Sequence, residues 1–219
     1  MRLVVFDCDG TLVDSQHQII AAVEEAMTAV ALPVPPRETI LHAVGLPMET
    51  AFRHHAPDAD EATMAEIIRV YRAAAGRMQQ QDDRGQVMFD GMDGLIRALG
   101  AEDETLLGIV TMKSRRGLER VVDAHDIRGY FHTLKSADDG PGKPAPDLLL
   151  AAMADCGING AETIMIGDTS FDMLMTKAAG AYAIGVGWGY QTIEELEESG
   201  ADEIAATPDA LAARLAALR

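Results

Sequence analysis

Residues 3–6 form a run of four apolar residues that ends abruptly in Asp7-Cys8-Asp9-Gly10-Thr11. Such a run predicts a β-strand that is buried on both faces. Because side chains alternate along an extended strand, Asp7 and Asp9 are expected to point to the same side. Gly10 lets the backbone turn sharply after them. The sequence therefore predicts a pair of carboxylates at the carboxyl end of a buried strand, where α/β sheets bind their ligands.

A calcium-binding EF-hand loop also begins with Asp-x-Asp, but it requires Gly at its sixth position and Glu at its twelfth. Counted from Asp7, these positions hold Leu12 and Gln18. The stretch is therefore not expected to form an EF-hand.

The composition restricts the class of protein. The chain has 219 residues, of which 48% are hydrophobic, and a net charge of −17. This length allows one domain with a modest insertion. The negative charge argues against nucleic acid or an anionic membrane as a partner, because both attract positively charged surfaces. No apolar run approaches the ~18 residues of a membrane helix and no signal peptide is evident, so a cytoplasmic location is expected.

The hydrophobic pattern divides the chain into two kinds of segment. Between residues 15 and 84 apolar residues recur at helical spacing, whereas strands and helices alternate from residue 93 onwards. Such alternation predicts a parallel sheet with right-handed crossovers and helices on both faces. The predicted fold is a doubly wound, Rossmann-like α/β core formed by residues 1–14 and 85–219. An all-helical cap is expected at residues 15–84.

Polar residues follow the predicted strands of this core. Thr111 and Asp168 each follow a strand, as Asp7 and Asp9 do, and Lys143 lies in a loop rich in Gly and Pro. Three carboxylates held about 4 Å apart would repel by roughly 4 kcal/mol per pair at an effective dielectric constant of 20. A divalent cation relieves this repulsion, and oxygen ligands without His or Cys favour Mg²⁺. Thr111 and Lys143 would supply an anion-binding site beside the metal.

The chain resembles the haloacid dehalogenase-like (HAD) superfamily, and within it the phosphoglycolate phosphatase-like branch. The resemblance rests on four motifs in the family's order and spacing. They are Asp-x-Asp-Gly-Thr at 7–11, a strand ending in Thr111, Gly-Lys-Pro-x-Pro at 142–146 and Gly-Asp-Thr-x-x-Asp at 167–172. The first and fourth motifs are specific, and the resemblance covers nearly the whole chain.

The resemblance implies a role for each matching residue. Asp7 would be the nucleophile that accepts the phosphoryl group as an aspartyl phosphate. Asp9 would protonate the leaving oxygen and then activate water, while its backbone carbonyl reaches the metal. Thr111 would hold a phosphoryl oxygen, and Lys143 would neutralise charge on Asp7 and the phosphoryl group. The implied metal ligands are Asp7, Asp9 and Asp168.

Asp172 has two interpretations. In the first, Asp172 contacts the metal ligands and orients them without binding the metal itself. In the second, Asp172 is an acidic residue in the first turn of a helix, where the helix dipole favours negative charge.

Residues outside the shared motifs are expected to read the substrate. Gly45 belongs to a loop that resembles the cap loop which relatives lower over the core site. Arg53, Arg69 and Arg72 are candidates for binding a substrate carboxylate or a second phosphate. Met112 stands where many relatives have Asn or Gly, so the floor of the site is expected to differ.

The expected function is that of a Mg²⁺-dependent phosphatase acting on a small phosphorylated metabolite, with 2-phosphoglycolate as the first candidate on resemblance. Two alternatives stay open at this point. A phosphomutase of the β-phosphoglucomutase type would return the phosphoryl group to its substrate. A phosphate-binding interaction module would bind without turnover. No oligomeric state is predicted.

Overall fold

A computed structural model describes residues 1–81 and 86–218 of the chain. Its strands are β1 Arg2–Phe6, β2 Val13–Asp14, β3 Val87–Met88, β4 Thr105–Val110, β5 Phe131–Lys135, β6 Thr163–Gly167, β7 Tyr182–Val186 and β8 Glu203–Ala205. Its α-helices are α1 Gln16–Ala29, α2 Arg37–His42, α3 Met48–His55, α4 Glu61–Gln81, α5 Met92–Gly100, α6 Arg115–Ala124, α7 Asp147–Cys156, α8 Ser170–Ala178, α9 Ile193–Glu198 and α10 Pro208–Ala217.

Six strands form one parallel sheet in the order β5-β4-β1-β6-β7-β8. Strands β4 and β5 thus lie on one side of β1, and the later strands β6, β7 and β8 lie on its other side. This is the strand order of a doubly wound Rossmann-like sheet, whose ligand site lies where the order reverses. The fold class predicted from the sequence is confirmed. The reversal lies between β1 and β6.

Strand β1 lies in the interior of the sheet, and the side chains on both of its faces are apolar and buried. Leu3, Val4, Val5 and Phe6 have no exposed surface. Val4 and Phe6 contribute to an apolar cluster on one face of the sheet, and Leu3 and Val5 contribute to the cluster on the other face. Because successive side chains of β1 point to opposite faces of the sheet, this one strand packs into the apolar clusters on both faces.

Neighbouring leucines in α7 offer a matched test of this packing. Leu149 is fully buried under the sheet, whereas Leu150 is 46% exposed. We expect Leu149→Ala to lower the free energy of unfolding by about 2 to 5 kcal/mol, because it leaves a cavity. Leu150→Ala should change it by no more than about 0.5 kcal/mol. Chemical denaturation of both variants measures the difference, and equal losses would contradict the assigned packing.

Helices α1 to α4 lie in the chain between β2 and β3. They share an apolar cluster separate from those of the sheet, which includes Val23, Met27, Phe52, Met64 and Ile67. The helical spacing of apolar residues between residues 15 and 84 thus corresponds to helices in the structure. The predicted boundary between residues 84 and 85 lies outside the described residues.

Short elements were not predicted from the sequence. Strands β2 and β3 pair antiparallel at the two ends of the helical insertion, with Val13 opposite Met88 and Asp14 opposite Val87. Two residues are too few to show an alternating pattern, so only the tertiary structure reveals them. Strand β8 at the sheet edge, helix α9 before it and helix α10 after it were not predicted either. Within the described ranges, no helix combines the length and apolarity needed to cross a bilayer.

Candidate active site

The carboxyl ends of three adjacent strands bring the predicted site residues together. Asp7 directly follows β1, Thr111 follows β4 and Asp168 follows β6. Strand β1 lies between β4 and β6. The three residues therefore lie on one rim of the sheet, at the point where the strand order reverses.

Three buried carboxylates form the centre of this rim. Ligand atoms of Asp7, Asp168 and Asp172 all lie within 4.8 Å of one another. Asp7 is 2% exposed, and the other two are fully buried. Burial raises the pKa of Asp7 to about 6, with Lys143 opposing the shift and the neighbouring carboxylates adding to it. Burial also raises the pKa of Asp168 well above its ordinary value, and the charges of Asp7 and Asp172 add to this.

Lys143 is the cation at the centre of these acids. Its Nζ lies 2.8 Å from Asp7 Oδ1 and 2.6 Å from Asp172 Oδ1, and its side chain has no exposed surface. Burial opposes the ammonium charge, but the two carboxylates outweigh it and raise the pKa of Lys143. A charged lysine is therefore fixed against Asp7.

Asp172 uses both of its carboxylate oxygens. Oδ1 pairs with Lys143, and Oδ2 accepts hydrogen bonds from Thr169 N at 3.1 Å and Thr169 Oγ1 at 2.7 Å. The second set of bonds is a capping box at the start of α8. Asp172 thus lies in the first turn of α8, as one of the two interpretations has it, and it also pairs with Lys143. Its support of the metal ligands stays a prediction.

Asp168 packs so closely against Gly10 and Gly189 that neither position has room for a side chain. Its Oδ1 accepts from Thr11 Oγ1, and its Oδ2 accepts from Tyr190 N, both at 2.9 Å. A Cβ atom on Gly10 would lie 2.1 Å from Asp168 Oδ2, and one on Gly189 would lie 2.1 Å from Asp168 Cβ. Gly10 also has a φ of +83°, a left-handed conformation that suits glycine. Glycine is therefore required at position 10 for two reasons, namely the left-handed backbone conformation and the close approach of the Asp168 carboxylate.

The charge balance of the cluster fits a divalent metal. The three carboxylates carry −3 when ionised and Lys143 carries +1, which leaves −2 in a buried site. Burial is the main reason that the pKa values of Asp7 and Asp168 are raised, and the charges of the neighbouring carboxylates add to it. Hard carboxylate oxygens are the ligands that Mg²⁺ prefers. Each of the three carboxylates offers an oxygen to such an ion, and Asp7 and Asp168 are the two that the sequence also predicted as metal ligands.

The Asp9 carboxylate is not part of this acid cluster. Its Oδ1 lies 2.5 Å from Lys113 Nζ in an ion pair whose side chains are 12% and 7% exposed. Burial opposes the charge on Lys113, but Asp9 outweighs it and the pKa of Lys113 is raised. The role predicted for Asp9 in metal binding involved its backbone carbonyl, which this pairing leaves available.

Lys113 was not singled out by the sequence analysis. The one available signal was its position two residues after Thr111, in the loop that leaves β4. Thr111 is itself buried, and its Oγ1 accepts a hydrogen bond from Lys113 N at 3.2 Å. The loop thus fixes a hydroxyl and an ammonium on the same side of the sheet.

Two loops meet beside Met112. A Cβ atom on Gly142 would lie 2.5 Å from Met112 Cε and 3.0 Å from Pro47 Cγ. Met112 therefore packs between the core loop that carries Lys143 and the loop before α3. Gly142 must lack a side chain for this contact to form.

The helical segment reaches the rim through the loop between α2 and α3. Gly45 has a φ of +94°, and a Cβ atom there would lie 3.0 Å from Thr169 Oγ1. Gln191 Nε2 donates to His42 O at 3.3 Å, which ties the end of α2 to the core. Burial raises the pKa of Tyr71 in α4 to about 12, and the Asp9 carboxylate adds to the shift. Both loop and helix therefore face the site.

The arginines predicted to bind substrate have other positions. Arg53 Nη1 donates to Ala59 O at 2.7 Å, and its Nη2 pairs with Glu61 at 2.5 Å. Arg69 pairs with Glu66 on the surface of α4, and Arg72 is exposed. Arg53 and Arg69 are thus engaged within the helical segment. Their part in substrate binding stays a prediction.

Comparisons with known proteins agree with this geometry. Residues 4–186 match the family model described as haloacid dehalogenase-like hydrolase. The chain is 35% identical to the probable phosphatase IndB of Dickeya dadantii over 198 residues, covering 89% of this chain and 85% of that protein. It is 31% identical to the phosphoglycolate phosphatase of Escherichia coli K12 over 223 residues, covering 93% and 88% of the two chains.

A solved structure shows the same architecture. The crystal structure of a hydrolase from Pseudomonas syringae superposes with a TM-score of 0.87 at 27% identity, covering 99% of this chain and 98% of that one. The family predicted from four short motifs is confirmed by a match that spans most of the chain. This protein belongs to the haloacid dehalogenase-like hydrolase family.

Proposed function

We propose that this protein is a Mg²⁺-dependent phosphatase that hydrolyses a small phosphorylated metabolite through an aspartyl phosphate on Asp7. Hydrolysis of a phosphoric monoester is the activity of the enzyme class to which the chain belongs. The metal, the covalent intermediate and the substrate are the parts proposed. The observation that carries the proposal is the convergence of Asp7, Asp168 and Lys143 on one rim of the sheet.

The chemistry follows from where the groups lie. In the first step an Asp7 oxygen attacks phosphorus, the bond to the ester oxygen breaks, and the Asp9 carboxyl gives that oxygen a proton. In the second step Asp9 takes a proton from water, the water oxygen attacks phosphorus, and Asp7 and inorganic phosphate are released. Thr111 and Lys143 would bind phosphoryl oxygens as negative charge moves onto Asp7. Bound Mg²⁺ would supply further neutralisation of the phosphoryl charge.

The helical segment is proposed to act as a cap. We assign residues 15–84 to it and residues 1–14 and 85–219 to the core. The contacts of Gly45 with Thr169 and of His42 with Gln191 support this assignment, because they lie on the rim beside Asp168. A cap in this position would exclude bulk water from the phosphoenzyme.

2-Phosphoglycolate is the first substrate proposed, since relatives at 31% identity carry the name phosphoglycolate phosphatase. The phosphomutase and the non-catalytic binding module are not favoured by relatives named as phosphatases. A cytoplasmic location and the absence of nucleic-acid or membrane partners stay predictions of the sequence.

A phosphate-release assay over a panel of phosphorylated metabolites tests the proposal. We expect release with Mg²⁺ and none after chelation by EDTA, because the acid cluster needs a divalent ion to bind a phosphate dianion. Conversion of a sugar phosphate to its isomer without phosphate release would instead indicate a mutase. Full activity in EDTA would remove the metal from the mechanism.

Metal binding is also expected to stabilise the fold. At a concentration 100 times its Kd, Mg²⁺ should add about 2.7 kcal/mol to the free energy of unfolding. For a chain of this length this corresponds to a rise in Tm of roughly 5 to 10 °C. Thermal denaturation with MgCl₂ against NaCl of equal ionic strength measures it. An unchanged Tm would contradict a metal site at the acid cluster.

A further inference from the structure

We propose that Lys113 is a positioning residue for proton transfer: it holds Oδ1 of Asp9, so that Oδ2 is the oxygen that carries the proton to the leaving group. The inference rests on the proposed phosphatase function and deepens it. It adds to the reaction a residue from outside the four shared motifs, and it gives a purpose to the separation of the Asp9 carboxylate from the acid cluster.

The ion pair between Lys113 and Asp9 is short and mostly buried. Lys113 Nζ lies 2.5 Å from Asp9 Oδ1, and the two side chains are 7% and 12% exposed. Among residues 1–81 and 86–218, no donor makes a hydrogen bond to the other oxygen, Asp9 Oδ2. One oxygen of the carboxylate is therefore anchored, and the other is left for the reaction.

The chemistry of the two groups decides which oxygen carries the proton. An ammonium only donates hydrogen bonds, so Asp9 Oδ1 must offer it a lone pair. A proton on Oδ1 would point at the donor, and a protonated Asp9 therefore carries its proton on Oδ2. Because Oδ1 accepts from Lys113 whether Asp9 is charged or neutral, the contact can persist through both steps. A proton-transfer group that is oriented by a further side chain is a recurring arrangement in enzymes with a covalent intermediate.

Lys113 is itself held in place by the core. Its backbone N donates to Thr111 Oγ1 at 3.2 Å, and its backbone O accepts from Ala137 N at 3.1 Å. Its side-chain stem packs against the first turn of α6, where a Cβ atom on Gly117 would lie 3.0 Å from Lys113 Cγ. These contacts restrict the ammonium, so it can hold a carboxylate in one orientation.

The backbone around Asp9 is also fixed, by the turn that follows β1. Cys8 O accepts from Leu12 N at 2.9 Å and from Val13 N at 3.0 Å. The side chain of Asp9 can still rotate, and the contact with Lys113 limits this rotation. Lys113 therefore supplies the restraint that the turn does not.

The dependence on the leaving group tests the inference. An alkoxide leaves only with a proton, whereas the acetate of acetyl phosphate is a weak base that leaves without one. With the best alkyl ester of the metabolite panel, Lys113→Met should lower kcat/KM about 10 to 100 times, as for a misplaced catalytic group. With acetyl phosphate kcat/KM should fall by less than about threefold, because formation of the phosphoenzyme then needs no general acid.

The second step gives an independent readout with acetyl phosphate. Hydrolysis of the phosphoenzyme needs Asp9 as a base, whichever group has left. In Lys113→Met a larger fraction of the protein should therefore retain ³²P from labelled acetyl phosphate after acid quenching, and kcat should fall although kcat/KM does not. A lysine that only stabilised the fold or only bound phosphate would lower kcat/KM alike for both substrates.

A double-variant cycle tests whether Lys113 acts through Asp9. Asp9→Asn should lower kcat/KM for the alkyl ester more than Lys113→Met does. The combined variant should be no more than about three times worse than Asp9→Asn alone, whereas independent roles would multiply the two losses. If Lys113→Met does not fold, Lys113→Gln replaces it throughout, because Gln keeps a polar end but loses the charge and reaches one atom less far.

Lys135→Met is the matched control. Lys135 Nζ pairs with Asp155 Oδ2 at 2.7 Å, and the Lys135 side chain is 17% exposed. The change therefore also removes a mostly buried lysine from an ion pair of the core, but one that joins β5 to α7. It should leave kcat/KM unchanged for both substrates.

The outcomes separate the inference from the function on which it rests. If the wild-type protein releases phosphate from no ester, the phosphatase proposal fails and the inference fails with it. If it is a phosphatase but Lys113→Met keeps wild-type kinetics, or slows both substrates equally, the inference alone is overturned. A combined variant that shows the product of the two single losses would also overturn it, because Lys113 would then act independently of Asp9.

Discussion

Asp7→Asn is expected to lower phosphate release by a factor on the order of 10⁴ or more, the range seen when a nucleophile is removed. The amide has the same shape as the carboxylate but cannot attack phosphorus. Its oxygen can still accept a hydrogen bond from Lys143, but the ion pair at 2.8 Å between Lys143 Nζ and Asp7 Oδ1 is lost. The measurement is steady-state phosphate release with Mg²⁺, together with acid quenching after mixing with ³²P-labelled substrate. The wild-type protein should retain label as an acyl phosphate, and the variant should retain none.

A control and a contrary outcome make this test specific. Asp58→Asn changes an exposed aspartate in the same way and should leave phosphate release unchanged. Wild-type turnover in the Asp7 variant would overturn the assignment of the nucleophile. Label that persists in the Asp7 variant would transfer the covalent step to another residue.

Lys143→Met is expected to have the second large effect, and it acts on stability as well as activity. The ammonium is fully buried between Asp7 and Asp172, so its removal leaves carboxylates in the interior without a cation. Breaking a buried ion pair from one side costs about 3 to 5 kcal/mol. Loss of the positive charge beside the phosphoryl group should lower kcat by a further factor of about 10² to 10³. Denaturant unfolding and phosphate release measure the two effects.

The matched control is Lys177→Met. Lys177 is 44% exposed and pairs with Asp202, so its removal should cost no more than about 1 kcal/mol. If Lys143→Met does not fold, Lys143→Met combined with Asp172→Asn removes one of the unpaired charges and should recover part of the stability. A Lys143 variant with wild-type stability and turnover would contradict its place in the site.

Much of the core was predictable from local pattern. The run at residues 3–6 is apolar on both faces, and the structure places it at the centre of the sheet because only that position buries both faces. Asp7, Thr111 and Asp168 each follow a strand, and parallel strands end on the same side, so their convergence followed from the order of elements. The alternation of strands and helices expected from residue 93 onwards is likewise present in the structure.

Other features had no sequence signal of sufficient length. Strands β2 and β3 have two residues each, and they pair across more than seventy residues of intervening chain. Lys113 carried no motif of its own, since its pairing with Asp9 joins positions 104 residues apart. The engagement of Arg53 by Ala59 and Glu61 likewise depends on how the chain turns between α3 and α4.

The sequence by itself determined the fold class and which chemical groups reach the rim of the sheet. Both depend on periodicity and on residues that directly follow strands. Tertiary structure alone decided the partners of those groups: Lys143 joins Asp7 to Asp172, while Asp9 pairs with Lys113 apart from the acid cluster. The physical reason is that charge pairing in a buried site depends on distances of a few ångströms between segments distant in the chain. No local pattern of residues encodes these distances.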